Sequence, residues 1–487
     1  MGMLDRASLD QKHAEWLENV RKIPCEVAAA NGVVTLKGHI AFEYVKNGVL
    51  LYRKARVQKP DGEKSFFRDR SGSETCLWGI DTLSELSSGT VIITEGEIDR
   101  LSVLAIGLGP VVSVPDGAQI QNVGEGRIVP SEDKSFEWLW DGDDYVEGLR
   151  DAERIILAVD SDQKGQVLFE ELSVRLGRDR CWYVRYPSGC KDANEVLVSH
   201  GEDALRKVFE DAKPLIPDRL VRVSDMDFGT PRASFSSGWK YLDKHLMLCA
   251  PELLVVTGPP NAGKSQAVLA LCANQARDHG NKVAYLQFED NPERNIEDLR
   301  KYAVANIDGI RDRTSAFQWV DKYFFFVSPS ESDGEDDMDL EWLKSVIKEA
   351  AQRHGCKIVV IDPWNEVEHC WARHESQALY LNRALRHLKR LARRFRICLI
   401  IVAHPDKQAG RSGQSILQWS LYDIDGGAVW NNKADHGLIV LHNKDVKGET
   451  YWNISKSKDW LRMGEPGIVR MRFKPACGTY DYVGSGV

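Results

Sequence analysis

The run TGPPNAGKS holds residues suited to phosphate chemistry. Gly258 and Gly263 let backbone N–H groups curl around an oxyanion, and a helix starting just after them adds positive potential. Lys264 is placed to reach β- and γ-phosphates, and the Ser265 hydroxyl to bind Mg²⁺. The spacing G-x-x-x-x-G-K-S falls between an apolar run and a helical pattern, the context this motif requires. Nucleoside triphosphate hydrolysis also needs an acid on the metal side and a group that activates water. VVIDP supplies Asp362 at an apolar strand end as the first. VAYLQFED supplies Glu289 as general base, with Asp290 expected to point away. IVAHP ends on His404, where a γ-phosphate sensor would sit.

A second set of acids lies upstream. VIITEGEIDR places Glu95 at a strand end, AVDSDQKG follows with Asp160 and Asp162, and KDANEVL brings Asp192. In a parallel sheet the strand C-termini converge on one edge, where ligands bind. Carboxylates gathered there need cations to neutralise them, and hard oxygen ligands suit Mg²⁺ or Mn²⁺. Such ions could align a nucleoside triphosphate and a 3′-hydroxyl for phosphoryl transfer. Glu97 and Asp99 read as helix-start acids favoured by the helix dipole, not as ligands.

The elements that must position these residues are α/β in character. With 487 residues the chain has room for two to four domains. Residues 1–88 open on a helical stretch and pass into short strands. From 89 to 210 apolar runs alternate with helical patterns, which predicts βαβ units and a largely parallel sheet. The acidic piece 131–148 reads as a surface insertion. Residues 211–233 carry three prolines and little amphipathic order, and read as a linker. A second α/β alternation fills 234–487. The net charge of −8 rules out a simple polycation, so nucleic acid must be met by local basic patches. None of the ten cysteines forms a CxxC pair, against a zinc ribbon or a disulfide framework. The polar N-terminus is not a secretory signal, and no 18-residue apolar run predicts a membrane span.

The ordered set SSGWKYLDKHL, GPPNAGKS, Glu289, VVIDPWNE, IVAHP and DIDGGAVWNNKADHGLIVL resembles the RecA-like, DnaB-type replicative helicases. Within them it is most like the T7-type primase-helicases and the Twinkle-like helicases. The resemblance implies a homo-hexamer or heptamer ring with ATP between subunits, moving 5′ to 3′ on single-stranded DNA. A cation from the neighbour completes each site in that family. Lys456 and Lys458 of NISKSKDWLR stand where the family shows Lys-x-Arg, with Arg462 as a stand-in. Lys407 and Arg411, in the loop after His404, are implied contacts to the strand's phosphates. Glu95, the D-x-D pair, SVPDGA and KDANEVL resemble the Toprim domain of DnaG-type primases, over about 89–200. The first 88 residues resemble the subdomain that precedes Toprim there. Its basic residues Arg53, Lys54, Arg56, Lys59, Lys64, Arg68 and Arg70 would line a template groove.

The T7-type zinc module has no cysteine counterpart in this sequence, so no zinc is expected. The function implied is an ATP-driven replicative DNA helicase with a Toprim primase-like domain. One alternative is a bifunctional primase-helicase that also makes RNA primers. Another is an ATP-dependent recombination factor that binds single-stranded DNA without unwinding. Implied cofactors are ATP, or another NTP or dNTP, and Mg²⁺. Implied partners are single-stranded or forked DNA, a replicative DNA polymerase and an ssDNA-binding protein, with no membrane. The implied location is the cytoplasm of a bacterial host, the gene being of phage or prophage origin.

Overall fold

The computed structural model describes residues 8–58, 64–85, 89–117, 120–122, 128–130, 133–142, 144–215, 234–289, 292–327, 338–367, 369, 376–406, 418–443 and 445–486. The chain divides into two compact units, one up to about residue 227 and one from 228 on.

The first unit begins with helices Gln11–Asn19 and Cys25–Ala30 and an antiparallel meander of four strands: Val33–Leu36, His39–Lys46, Val49–Gln58 and Lys64–Arg68. Its first two turns, Lys37-Gly38 and Asn47-Gly48, have positive φ at both residues, the mirror-image turn that suits strand twist. A five-stranded sheet follows, in the order Lys213–Pro214, Cys181–Tyr183, Arg154–Ala158, Thr90–Thr94, Val111–Ser113. All its pairings but the first are parallel. Val91–Thr94 and Ile155–Ala158 are buried without interruption, as strands covered on both faces must be. Thr94 pairs with Ala158, so these strands end level and deliver Glu95 and Asp160 to one edge.

One core contains Leu17, Phe42 and Trp78 together with Val91, Ile156 and Leu168. The expected boundary at 88/89 therefore lies inside a continuous hydrophobic core. The acidic piece 131–148 is less superficial than its charge suggests: Phe136, Trp138, Leu139 and Val146 are buried.

The second unit is built on a nine-stranded sheet. Six parallel strands run in the order Phe324–Val327, Val283–Gln287, Ile358–Asp362, Cys398–Val402, Leu253–Thr257, His436–His442. Three antiparallel strands extend it: Glu449–Ser457, Gly467–Lys474 and Thr479–Ser485. The strand that feeds the glycine-rich loop is central, and its five residues are all buried. Among the described residues, no helix is long and apolar enough to cross a membrane.

Candidate active sites

At the C-terminal edge of the large sheet, strand Leu253–Thr257 passes through Gly258 into helix Lys264–His279. Gly258 has φ +149°, and a Cβ there would lie 2.0 Å from the Val440 carbonyl oxygen, so only glycine fits. Lys264 is buried, and its Nζ donates to the carbonyls of Gly258 and Pro259, each at 3.1 Å. Burial pushes its ammonium pKa down, while Asp362 and Glu289 oppose that shift. Asp362 closes strand Ile358–Asp362 and accepts a hydrogen bond from the Tyr285 hydroxyl at 2.6 Å. Its pKa is raised by burial, against the Tyr285 and Ser265 hydroxyls that bond to it. The two expected Mg²⁺ ligands, Ser265 and Asp362, are thus brought together.

Glu289 stands two residues past the end of strand Val283–Gln287, half-exposed, with Oε1 3.5 Å from His404 Nε2. The His404 backbone N–H donates to Asn365 Oδ1 at 2.9 Å. Base and sensor candidates therefore meet, and two residues missed in the sequence, Tyr285 and Asn365, hold parts of the site. Their signal is positional: each lies on or beside a strand that ends at this edge.

The candidate neighbour-facing cations differ sharply. Lys456 Nζ donates to the Asn431 carbonyl. Arg462 is held by Glu252 at 3.4 Å and Asp459 at 3.0 Å. Lys458 is 65% exposed, with Nζ 3.5 Å from Asp435. Asp290, Lys407 and Arg411 lie outside the described residues.

In the first unit the acids gather, with one exchange of members. Carboxylate oxygens of Asp99, Asp160 and Asp192 all lie within 4.8 Å of one another. Glu95 borders them, accepting from the Asp160 backbone N–H at 3.3 Å. Asp99, expected to be only a helix-start acid, faces back from the first turn of helix Glu97–Ala105 into this cluster. It accepts from the Asn194 backbone N–H at 3.0 Å. Its place in the first turn of a helix that starts at the strand edge is the signal that could have found it.

Asp162, expected as a ligand, is not in the cluster. It caps helix Gln163–Leu176, accepting from the Lys164 and Gly165 backbone N–H groups at 2.9 Å each. Gly165 is required there, because a Cβ would lie 2.0 Å from the Asp160 carbonyl oxygen. Glu97 is buried against the Tyr44 hydroxyl and Lys54 Nζ, both at 2.8 Å.

Burial, then Asp192 and Asp160, push the Asp99 carboxyl well above its usual range. Asp160 is pushed up to about 6, by burial first and by Asp192 and Asp162, with Lys191 at 3.3 Å opposing. Three crowded carboxylates with one ammonium leave net negative charge, which fits a divalent cation bound through oxygen.

A carboxyl whose folded pKa is raised binds its proton in the folded state through the window from about 4 to about 6. Stability is therefore full below that window and falls as the pH rises through it. Asp160→Asn should raise the stability of the first unit at pH 8 in chelator, by about 1–3 kcal/mol. Wild type should gain about 2.7 kcal/mol with Mg²⁺ at a hundred times its Kd, and the variant much less. Thermal melts in EDTA and in Mg²⁺ check both. A variant that melts lower in EDTA, yet gains as much from Mg²⁺, would refute the assignment.

The basic strand does not form one groove wall. Arg53 and Arg56 lie on opposite faces of their strand, being three apart. Arg53 pairs with Glu43 at 2.9 Å, and the Arg56 guanidinium sits 5.1 Å over the Trp16 ring. Lys54 is turned inward, donating to the Pro115 carbonyl at 2.6 Å as well as meeting Glu97. Arg68 pairs with Asp116 at 2.5 Å, and Arg70 donates to the Leu50 carbonyl at 3.0 Å. Lys59 and the Lys64 side chain lie outside the described residues. At least four of these cations bind the unit's own acids and carbonyls.

Comparison with known proteins gives a concordant picture. A Toprim-like family model matches residues 92–197, and an AAA domain model matches residues 218–410. The chain is 33% identical over 435 residues to a chloroplastic/mitochondrial Twinkle homolog protein of Arabidopsis thaliana, covering 83% of this chain and 59% of that one. It is 40% identical over 182 residues to a primase homolog protein of the same plant, covering 36% of this chain and 50% of that one. A DNA helicase/primase of Enterobacteria phage T3 is 24% identical over 430 residues, covering 82% of this chain and 69% of that one. The chain thus spans between half and three-fifths of the two Arabidopsis relatives.

Proposed function

From a chain that carries a Toprim-like domain and an AAA domain, and is similar to a Twinkle homologue over most of its length, we propose an ATP-driven DNA helicase. The observation that carries this reading is the meeting of Lys264, Ser265, Asp362, Glu289 and His404 at one sheet edge. Lys264 binds the β- and γ-phosphates of ATP, and the backbone from Gly258 to Gly263 wraps them. Ser265 and Asp362 hold Mg²⁺, which when bound neutralises charge on the transferring phosphoryl group. Glu289 takes the proton from the attacking water, and His404 reports the γ-phosphate to the chain beyond it. The protein works as a ring of identical chains around single-stranded DNA, running 5′ to 3′. Its wider partners are a replicative DNA polymerase and an ssDNA-binding protein, in a phage-infected or lysogenic bacterium.

The cluster of Asp99, Asp160 and Asp192 favours a second reading, in which the first unit also joins ribonucleotides into primers. Glu95 and the three aspartates would hold a divalent cation there, which when bound would neutralise charge on the phosphates of the incoming nucleotide.

Both readings are tested on one preparation. ATP hydrolysis should rise about tenfold or more with single-stranded DNA, since backbone binding is coupled to the nucleotide state. A forked duplex should separate under the same conditions. Absence of both responses rules out the helicase. Labelled oligoribonucleotides on a single-stranded template, lost in Asp160→Asn while unwinding persists, support the second activity. Their absence on every template and with either Mg²⁺ or Mn²⁺ removes it.

A further inference from the structure

Strand Val283–Gln287 is buried at all five of its residues, and its third residue is Tyr285. A strand covered on both faces is written mostly in aliphatic residues, because a buried hydroxyl must be paired or it costs stability. Tyr285 shares one core with Cys272 of helix Lys264–His279 and Val360 of the neighbouring strand. A phenylalanine would fill the same space. What the tyrosine adds is its hydroxyl, which donates to Asp362 Oδ2 at 2.6 Å.

The register explains the reach. In this parallel pairing Tyr285 lies opposite Val360, and Gln287 opposite Asp362. Side chains two apart on a strand share a face, so Tyr285 and Asp362 point to one side, and the ring spans the diagonal between them. One oxygen of the carboxylate is therefore fixed from within the sheet. The Ser265 hydroxyl bonds to the same carboxylate from the first turn of its helix. A hydroxyl and a carboxylate in contact are the hard oxygen donors that suit Mg²⁺.

We infer that Tyr285 is a positioning residue that restricts Asp362 to one metal-facing oxygen and so makes the nucleotide site prefer Mg²⁺ to Ca²⁺. The inference rests on the reading of Ser265 and Asp362 as the metal-side pair. With Oδ2 committed to the tyrosine, Oδ1 is the oxygen left for a cation, and its direction is set. Mg²⁺ demands a near-octahedral shell of short bonds, which a single aimed oxygen serves. Ca²⁺ takes about six to eight ligands in a loose shell and readily accepts both oxygens of one carboxylate. The bond from Tyr285 opposes that second mode. Tyr285 acts through Asp362, and hydrogen bonds that orient a metal ligand typically carry about 10- to 100-fold in metal affinity.

The test is a binding measurement on the full chain. A trace of the fluorescent N-methylanthraniloyl derivative of ADP is added, and Mg²⁺ or Ca²⁺ is titrated in separately. The part of the signal that Lys264→Met abolishes belongs to this site. Tyr285→Phe should raise the Mg²⁺ half-saturation about tenfold and leave the Ca²⁺ value unchanged or lower, so the preference for Mg²⁺ falls about tenfold or more. Binding of the same ADP in EDTA should stay near wild type, since the ring still fills the core. Tyr285→Leu, aliphatic like its strand neighbours, also lacks the hydroxyl and should show the same fall in preference. Should either variant melt lower, the ratio of the two half-saturations still decides, because a loss of folded protein leaves that ratio unchanged. If the Mg²⁺ and Ca²⁺ curves move together, or neither moves, the hydroxyl serves the core alone and the inference is wrong. If Asp362→Asn leaves the Mg²⁺ curve where it was, the reading of the metal-side pair fails, and Tyr285 has nothing to position.

Discussion

Lys264→Met is expected to cut ATP hydrolysis by a factor of about a thousand or more, with or without single-stranded DNA. Methionine keeps most of the buried stem and removes only the charge. In the structure the ammonium donates to the Gly258 and Pro259 carbonyls, so the loop's own backbone holds it at the spot where phosphates bind. On binding ATP those neutral contacts exchange for charge-assisted ones to phosphate oxygens, which are roughly twice as strong. The gain is largest in the transition state, where charge spreads over the transferring group inside a site that excludes water. Stability should move little. The variant loses two hydrogen bonds, worth about 1 kcal/mol each, but is relieved of a desolvated charge whose pKa burial already lowers. Steady-state hydrolysis and a thermal melt of the second unit separate these effects. Turnover within about tenfold of wild type at normal stability would overturn the assignment of Lys264.

The architecture was readable because both sites obey one rule: apolar β-branched runs end at a common sheet edge and expose the next polar residue there. That rule reaches Asp362, Glu289, His404, Glu95 and Asp160. It fails where a helix begins at once. Glu97 starts a helix three residues after the strand's last residue, and Asp99, two residues on, faces back into the cluster, whereas Glu97 turns away to Tyr44 and Lys54. Asp162 fails the other way, because the first residue before a helix uses its carboxylate to satisfy backbone N–H groups.

Tyr285 and Asn365 carry a signal of position only, not of residue type. Tyr285 reaches Asp362 only because strand Val283–Gln287 lies beside strand Ile358–Asp362 in a register that pairs Gln287 with Asp362. The basic strand was legible in principle. Alternation puts Arg53 and Arg56 on opposite faces, which a count of cations conceals. Charge also concealed the 131–148 piece, in which Trp138 and Leu139 are buried.

Lys458→Ala is expected to lower ATP hydrolysis by about 10² to 10³ without changing the melt, and the loss should be repaired in trans. Of the three candidate cations, Lys458 alone is mostly exposed. Arg462 is pinned by Glu252 and Asp459, and Lys456 is turned onto the Asn431 carbonyl. The base of Lys458 is nonetheless fixed, since its backbone N–H donates to the Asp435 carbonyl at 2.9 Å. Trp460 and Leu461, 58% and 79% exposed, stand beside it, an apolar patch of the kind that a neighbouring subunit covers. A lysine is a point charge and cannot clasp phosphate oxygens in two places, so its effect should fall below that of an arginine finger.

In a head-to-tail ring each site pairs the phosphate loop of one chain with the cation of the next. Mixing Lys458→Ala with Lys264→Met chains therefore creates interfaces in which an intact loop meets an intact Lys458. Two inactive proteins should together regain hydrolysis, and Arg462→Ala should need no such rescue. If the mixture stays inactive while both variants assemble, Lys458 does not act across the interface. If Lys458→Ala alone hydrolyses ATP as wild type does, it is not the cation that completes the site.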